Sequence, residues 1–153
     1  MRKLKILVAS LSLLIISTSG FNNAQYGVQA GQTAPIAELA KVTGNATGIT
    51  SNKSLLINFW SATDAASRAR AKSYQTKIDL EKTQLININL SDNPSLYNAI
   101  VSSDGMNAET SIRVDAEASE KLRKAFCLGD NYGAILVSAN GTVTAVNPAA
   151  ETL

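Results

Sequence analysis

Ser54-Leu55-Leu56-Ile57-Asn58-Phe59-Trp60 is the stretch that decides the fold. It is short, nearly continuously apolar and bounded by polar turns, the pattern of a strand covered on both faces in a parallel sheet. Downstream, Thr63 to Tyr74 is rich in Ala and straight-chain residues and predicts a helix, with Thr63 or Asp64 as its N-cap. Gln84 to Leu90 predicts a second strand, with Ile86, Ile88 and Leu90 on one face and Leu85, Asn87 and Asn89 on the other. Strand, helix, strand implies a right-handed parallel crossover. Asp92-Asn93-Pro94 reads as a cap with proline in the first turn, leading into a helix over Leu96 to Val101 that Asp104-Gly105 ends. Ser119 to Phe126 predicts another helix, with Leu122, Ala125 and Phe126 on its apolar side. Ala134 to Val137 and Thr142 to Val146 flank Asn140-Gly141, a hairpin signal because both residues tolerate positive φ. Pro148 to Leu153 is expected to begin a last helix. These elements predict the α/β class: a mixed central sheet with helices on both faces.

Upstream of the decisive strand, Lys41 to Ser54 reads as turns with one short strand around Gly48 to Thr50, and Gly20 to Ala34 as a linker or extended arm. Arg2, Lys3 and Lys5 precede an apolar run from Ile6 to Ile16 and then Ser17-Thr18-Ser19-Gly20. This is the layout of a secretory signal, and the run is too short to span a bilayer comfortably. An N-terminal membrane anchor is the alternative reading. Cleavage after Gly20, Ala24 or Ala30 fits, so residues 1–30 are expected to be signal and linker and residues 31–153 one domain. Fourteen basic and twelve acidic residues give a formal charge of +2, but without the three N-terminal cations the remainder carries −1. No basic patch points to nucleic acid or anionic lipid.

One cysteine, Cys127, and no histidine exclude an internal disulfide and any histidine-based triad. They also argue against a zinc or copper centre, so no metal or cofactor is expected. Asn45-Ala46-Thr47, Asn52-Lys53-Ser54 and Asn140-Gly141-Thr142 match the glycosylation sequon but read as turn composition.

Three landmarks in order carry a family resemblance. Gly31-Gln32-Thr33-Ala34-Pro35 resembles the G-x-x-A-P lead-in segment of exported TlpA/ResA-type thioredoxins and of peroxiredoxins. Leu55 to Trp60 resembles their buried strand ending in Phe-Trp, and Ile135 to Gly141 their C-terminal hairpin. The resemblance, covering Gly31 to Pro148, implies a thioredoxin-like sandwich. With the N-terminal signal it implies a periplasmic or secreted protein of a Gram-negative bacterium. In active members a Cys-x-x-Cys opens the helix after Phe-Trp, where the helix N-terminus favours a thiolate and the second sulfur resolves the mixed disulfide. Aligned on Phe-Trp, those places hold Asp64 and Ser67, joined by Ala65-Ala66. The family's cis-proline falls on Tyr132, in the loop Gly129-Asp130-Asn131-Tyr132-Gly133, which is expected to be trans. The chain thus reads as a degenerate member without its dithiol.

Asp64 reads as an N-cap or as a functional carboxylate in the former redox place; a helix N-terminus suits the cap, because it lowers the carboxylate's pKa. Ser67 lacks a histidine base, and Arg68 and Lys72 read as solvated cations. Cys127 reads as a buried small hydrophobe or as a lone reactive thiol. Trp60, Thr63, Asp64, Asn131 and Tyr132 are candidates to line a groove, although Trp60 reads better as core packing against the first helix. Three functions follow: a non-catalytic module binding an extended peptide or another exported protein; a monothiol exchanger or peroxidase acting through Cys127; or an inert surface scaffold.

Overall fold

The computed structural model describes residues 27–44 and 52–153. The N-terminal signal pattern and the short strand expected around Gly48 to Thr50 lie outside the described residues. The described chain builds a five-stranded sheet in the order β3-β2-β1-β4-β5. Its strands are β1 (Ser54–Trp60), β2 (Thr83–Asn89), β3 (Ser111–Arg113), β4 (Ala134–Val137) and β5 (Val143–Val146). The first three run parallel; β4 runs antiparallel to β1, and β5 to β4. The central strand β1 is buried along almost its whole length, as its continuous apolarity requires.

Four helices cover the sheet: α1 (Ile36–Thr43), α2 (Ala65–Lys77), α3 (Pro94–Ser103) and α4 (Ala116–Ala125). One face carries a single large core. Leu55, Ile57 and Phe59 of β1 and Ile86 and Ile88 of β2 pack there with Leu39 of α1, Leu122 of α4 and Phe126 just beyond it. The Phe59 and Phe126 rings lie 4.9 Å apart in a tilted pair. The other face is split. Leu56 and Leu85 pack under Tyr74 and Ile78, while Trp60 packs with Ala71 and Met106 and with Leu96 and Tyr97 of α3.

Several expectations need correction. Lys41 to Thr43 form the last turn of α1, which the Gly- and Thr-rich composition had obscured; Gly44, in the left-handed region at φ 63°, closes that helix by giving its N–H to the Ala40 carbonyl. Strand β3 was not expected, since three residues carry no periodicity. The helix expected from Ser119 begins at Ala116, because Asp115 caps it by accepting from the Ala118 N–H at 2.8 Å. In the hairpin only Gly141 has positive φ, at 85°. Its N–H closes a turn onto the Ser138 carbonyl at 2.9 Å, so the loop is the three-residue kind with glycine in the left-handed place. The last helix is a single 3-10 turn, Ala150–Thr152. Among the described residues no helix is long and apolar enough to cross a membrane.

Candidate functional site

The site sits where β1 and β2 end, the edge at which open α/β sheets bind ligands. After Trp60 the chain turns through Ser61, Ala62 and Thr63 and enters α2 at Asp64. Asp64 has extended backbone, and its carboxylate accepts the Ser67 N–H at 2.7 Å. That hydrogen bond and the Ser67 side chain hold the Asp64 pKa below its ordinary value. The group is therefore a capping anion at neutral pH, without the poised pKa a general base needs.

Ser67 is fully buried. Its hydroxyl accepts the Ser61 N–H at 3.1 Å and donates to the Asp64 carbonyl at 3.1 Å. Both of its roles are thus taken by backbone, and it ties the loop to the helix it precedes. The Ser61 and Thr63 hydroxyls hydrogen-bond each other at 2.8 Å, tightening the same turn. Arg68, one residue on, holds Asp104 with Nε and Nη2 at 3.0 to 3.2 Å. It is an anchor between α2 and the end of α3, where a solvated cation had been expected.

Beside this turn lies an open hollow of about 520 Å³. Thr63 and Tyr132 line it, as expected. Most of the rest of its wall comes from Ser91, Asp92 and Asn93 after β2, and from Ser119, Glu120 and Arg123 on α4. Sequence reading missed those residues; their signal was position, since they follow a parallel strand at its carboxyl end or face it from the next helix. Ser119 is placed by its hydroxyl, which donates to the Leu90 carbonyl at 3.1 Å.

Trp60 does not belong to the groove. It is wholly buried beneath α2 and α3, its ring 5.9 Å from that of Tyr97. The reason is register: Trp60 pairs with Asn89 on the face that α2 and α3 cover. Asp64 and Asn131 lie outside the hollow's lining as well. Asn131 is exposed, and its carbonyl serves Arg123. Arg123 is the organiser of this loop: Nη1 donates to the carbonyls of Gly129 at 2.7 Å and Asn131 at 3.2 Å. Its guanidinium carbon lies 5.1 Å from the Tyr132 ring centroid, a cation–π contact that holds Tyr132 against the hollow. The described residues contain no cis peptide bond.

Cys127 is exposed, so the expectation of a buried small hydrophobe is corrected. Its φ is 53°. The Leu128 N–H reaches the Arg123 carbonyl at 2.9 Å and the Cys127 N–H the Lys124 carbonyl at 3.3 Å, the two bonds of a Schellman closure after α4. The closure demands a left-handed residue there, and the tight turn leaves its side chain in solvent. Cys127 does not line the hollow.

Solved structures share this architecture. A thioredoxin-like protein from Parabacteroides distasonis is 23% identical over 68% of this chain and 79% of its own, with a TM-score of 0.62. The chain has a thioredoxin-like fold. The thioredoxin domain of a thiol-disulfide oxidoreductase from Bacteroides vulgatus is 14% identical over 80% of this chain and 90% of its own, also at 0.62. StoA from Bacillus subtilis is 14% identical over 67% and 81%, at 0.54. At these identities the likeness is one of fold. No protein-family model and no curated protein matches the sequence.

Proposed function

We propose that this chain is an exported thioredoxin-like module that binds an extended peptide or another exported protein and exchanges no disulfides. The observation that carries this reading is the state of the two places where the resemblance expects sulfur. Asp64 is a charged cap, and the Ser67 hydroxyl is buried with its hydrogen bonds filled by backbone. Neither offers a nucleophile or a redox centre, while the adjoining hollow stays open beside them. A recognition surface can outlive the chemistry it once served, because it depends on loop shape and not on sulfur. The basic and apolar start of the sequence supports export.

The test pairs two measurements on the purified domain. Reduction of insulin by dithiothreitol should proceed at the uncatalysed rate. Titration with short unstructured peptides of varied sequence should shift the amide resonances of Thr63, Ser91 and Tyr132. Catalysed reduction that disappears in Cys127→Ser would replace this reading with a monothiol one. Failure of every peptide and of exported proteins to bind would leave an inert scaffold.

A further inference from the structure

The face of the sheet under α2 and α3 holds a polar row that the proposed function does not use. Across three strands in register stand Asn58, Asn87 and Ser111, and one step along stand Trp60 and Asn89. All are buried, and Asn58, Asn87, Asn89 and Trp60 have no exposed surface. Hydrogen bonds run through the row in one direction. Arg70 of α2 donates Nε to Asn58 Oδ1 at 3.0 Å, and Asn58 Nδ2 donates to Asn87 Oδ1 at 2.9 Å. There the chain stops. Asn87 Nδ2, Asn89 Nδ2, Trp60 Nε1 and Ser111 Oγ have no protein partner.

Their polarity is fixed. Asn87 Oδ1 is committed to Asn58, and Asn89 Oδ1 accepts the Ser91 N–H at 3.1 Å, so each amide presents its N–H₂ end to the interior. An indole N–H only donates. Three donors and one hydroxyl therefore stand buried without a partner among the described residues. Arg70, the cation bonded to this row, spends Nη2 on the Phe59 carbonyl at 3.2 Å and makes no ion pair among the described residues.

We propose that this row is a built internal hydration site, in which ordered water accepts from Asn87, Asn89 and Trp60 and bridges them to Ser111 Oγ. A buried polar group left without a partner is costly, so four such groups would consume a large part of a domain's stability. The spacing suits water. Backbones of neighbouring strands stand roughly 5 Å apart, a gap one water reaching about 2.9 Å to each side spans, and residues two apart along a strand roughly 7 Å, a gap that takes a second water. A water accepts twice and donates twice, and so turns converging donors into a closed network; Ser111 Oγ supplies an acceptor for its protons. An anion answers the donors less well, because the sites are spread and the region is fully enclosed.

The single tryptophan gives a direct readout on the intact domain, since its indole N–H resonance needs no mutagenesis to assign. Rotating-frame cross-relaxation experiments should show a dipolar cross peak from that N–H to water, opposite in sign to chemical exchange, and insensitive to replacing chloride by bromide. A high-resolution crystal structure should place water within hydrogen-bond distance of Asn87 Nδ2 and of at least one other member. Absence of the dipolar peak overturns the proposal. So does a crystal structure in which the four atoms pair directly with protein, or one that places a halide there.

Discussion

The two faces of the sheet are built on different principles. Under α1 and α4, β1 and β2 present Leu55, Ile57, Phe59, Ile86 and Ile88 to one uninterrupted apolar cluster. Under α2 and α3 the same two strands present Leu56 and Leu85, then Asn58 and Asn87, then Trp60 and Asn89, so a polar row separates two smaller apolar clusters. The dry face gains from area removed from water, about 25 cal/mol per Å². The mixed face gains from that and from hydrogen bonds whose value depends on every member being partnered. The first tolerates no lost volume; the second tolerates no lost partner. The hollow opens at the end of both, between the loop above the mixed face and α4 above the dry one.

The largest expected effect tests the dry face. Phe59→Ala removes a fully buried ring packed on Phe126 and should cost about 3–5 kcal/mol in urea unfolding. A loss under about 1 kcal/mol would mean that this core collapses around voids, and the contrast between faces would fail. The next tests the mixed face. Asn58→Leu keeps the branched shape but strands Arg70 Nε and Asn87 Oδ1, and should cost about 1–3 kcal/mol. Adding Asn87→Leu removes one of the stranded partners, so the double variant should be less destabilised than the sum of the two single ones. Strict additivity would show that the row is a set of independent side chains.

This contrast was only half legible in the sequence. The continuous apolarity of Leu55 to Trp60 announced a strand covered on both sides, and the Asn93-Pro94 and Asn140-Gly141 signals placed α3 and the hairpin. The alternation in β2 showed which residues share a face. It did not show that the face with Asn87 and Asn89 is closed, because closure comes from α2 and α3 folding back over it. Likewise Trp60 reads as core packing with a groove as the alternative, and register decides for the core by putting it beside Asn89 under two helices. Helix α1 hid in a turn-like composition, though Pro35 before it and Gly44 after it follow the usual asymmetry of helix ends. At the site, Asp64, Ser67 and Tyr132 were found by alignment to a motif, and Thr63 by its place at the start of a helix. Arg123 and Ser91 carry no local signal and Asp92 only that of a helix cap, since what recruits them to the site is the meeting of a strand end and a distant helix.

Asp64→Ala sharpens the comparison at the helix covering the mixed face. Loss of its cap on Ser67 should cost about 1 kcal/mol at pH 7. Because the folded-state pKa of Asp64 lies below its ordinary value, the ionic part of this contribution is fully present above the unfolded pKa and is lost as pH falls through the folded one. The gap between native and variant unfolding curves should therefore narrow only below about pH 4. Asp64→Asn keeps a capping oxygen and should cost less than Ala at pH 7, converging with the native protein in acid. A gap that stays constant with pH would assign the whole effect to the neutral hydrogen bond.

The smallest effect has the opposite sign and sits at the end of α4, on the dry side. Cys127 holds φ 53° because the Schellman closure requires a left-handed residue after Phe126. A side chain in that region costs about 1–2 kcal/mol, whereas glycine adopts it freely. Glycine in turn gives up roughly 0.5–1 kcal/mol through its greater freedom in the unfolded chain. The difference leaves Cys127→Gly more stable by a few tenths to about 1 kcal/mol, read as a higher urea midpoint with an unchanged slope. Destabilisation instead would mean that the exposed thiol makes a contact worth more than the strain it carries. The residue's place would then be set by its sulfur and not by the backbone, and the monothiol reading of the protein would gain the physical basis it now lacks.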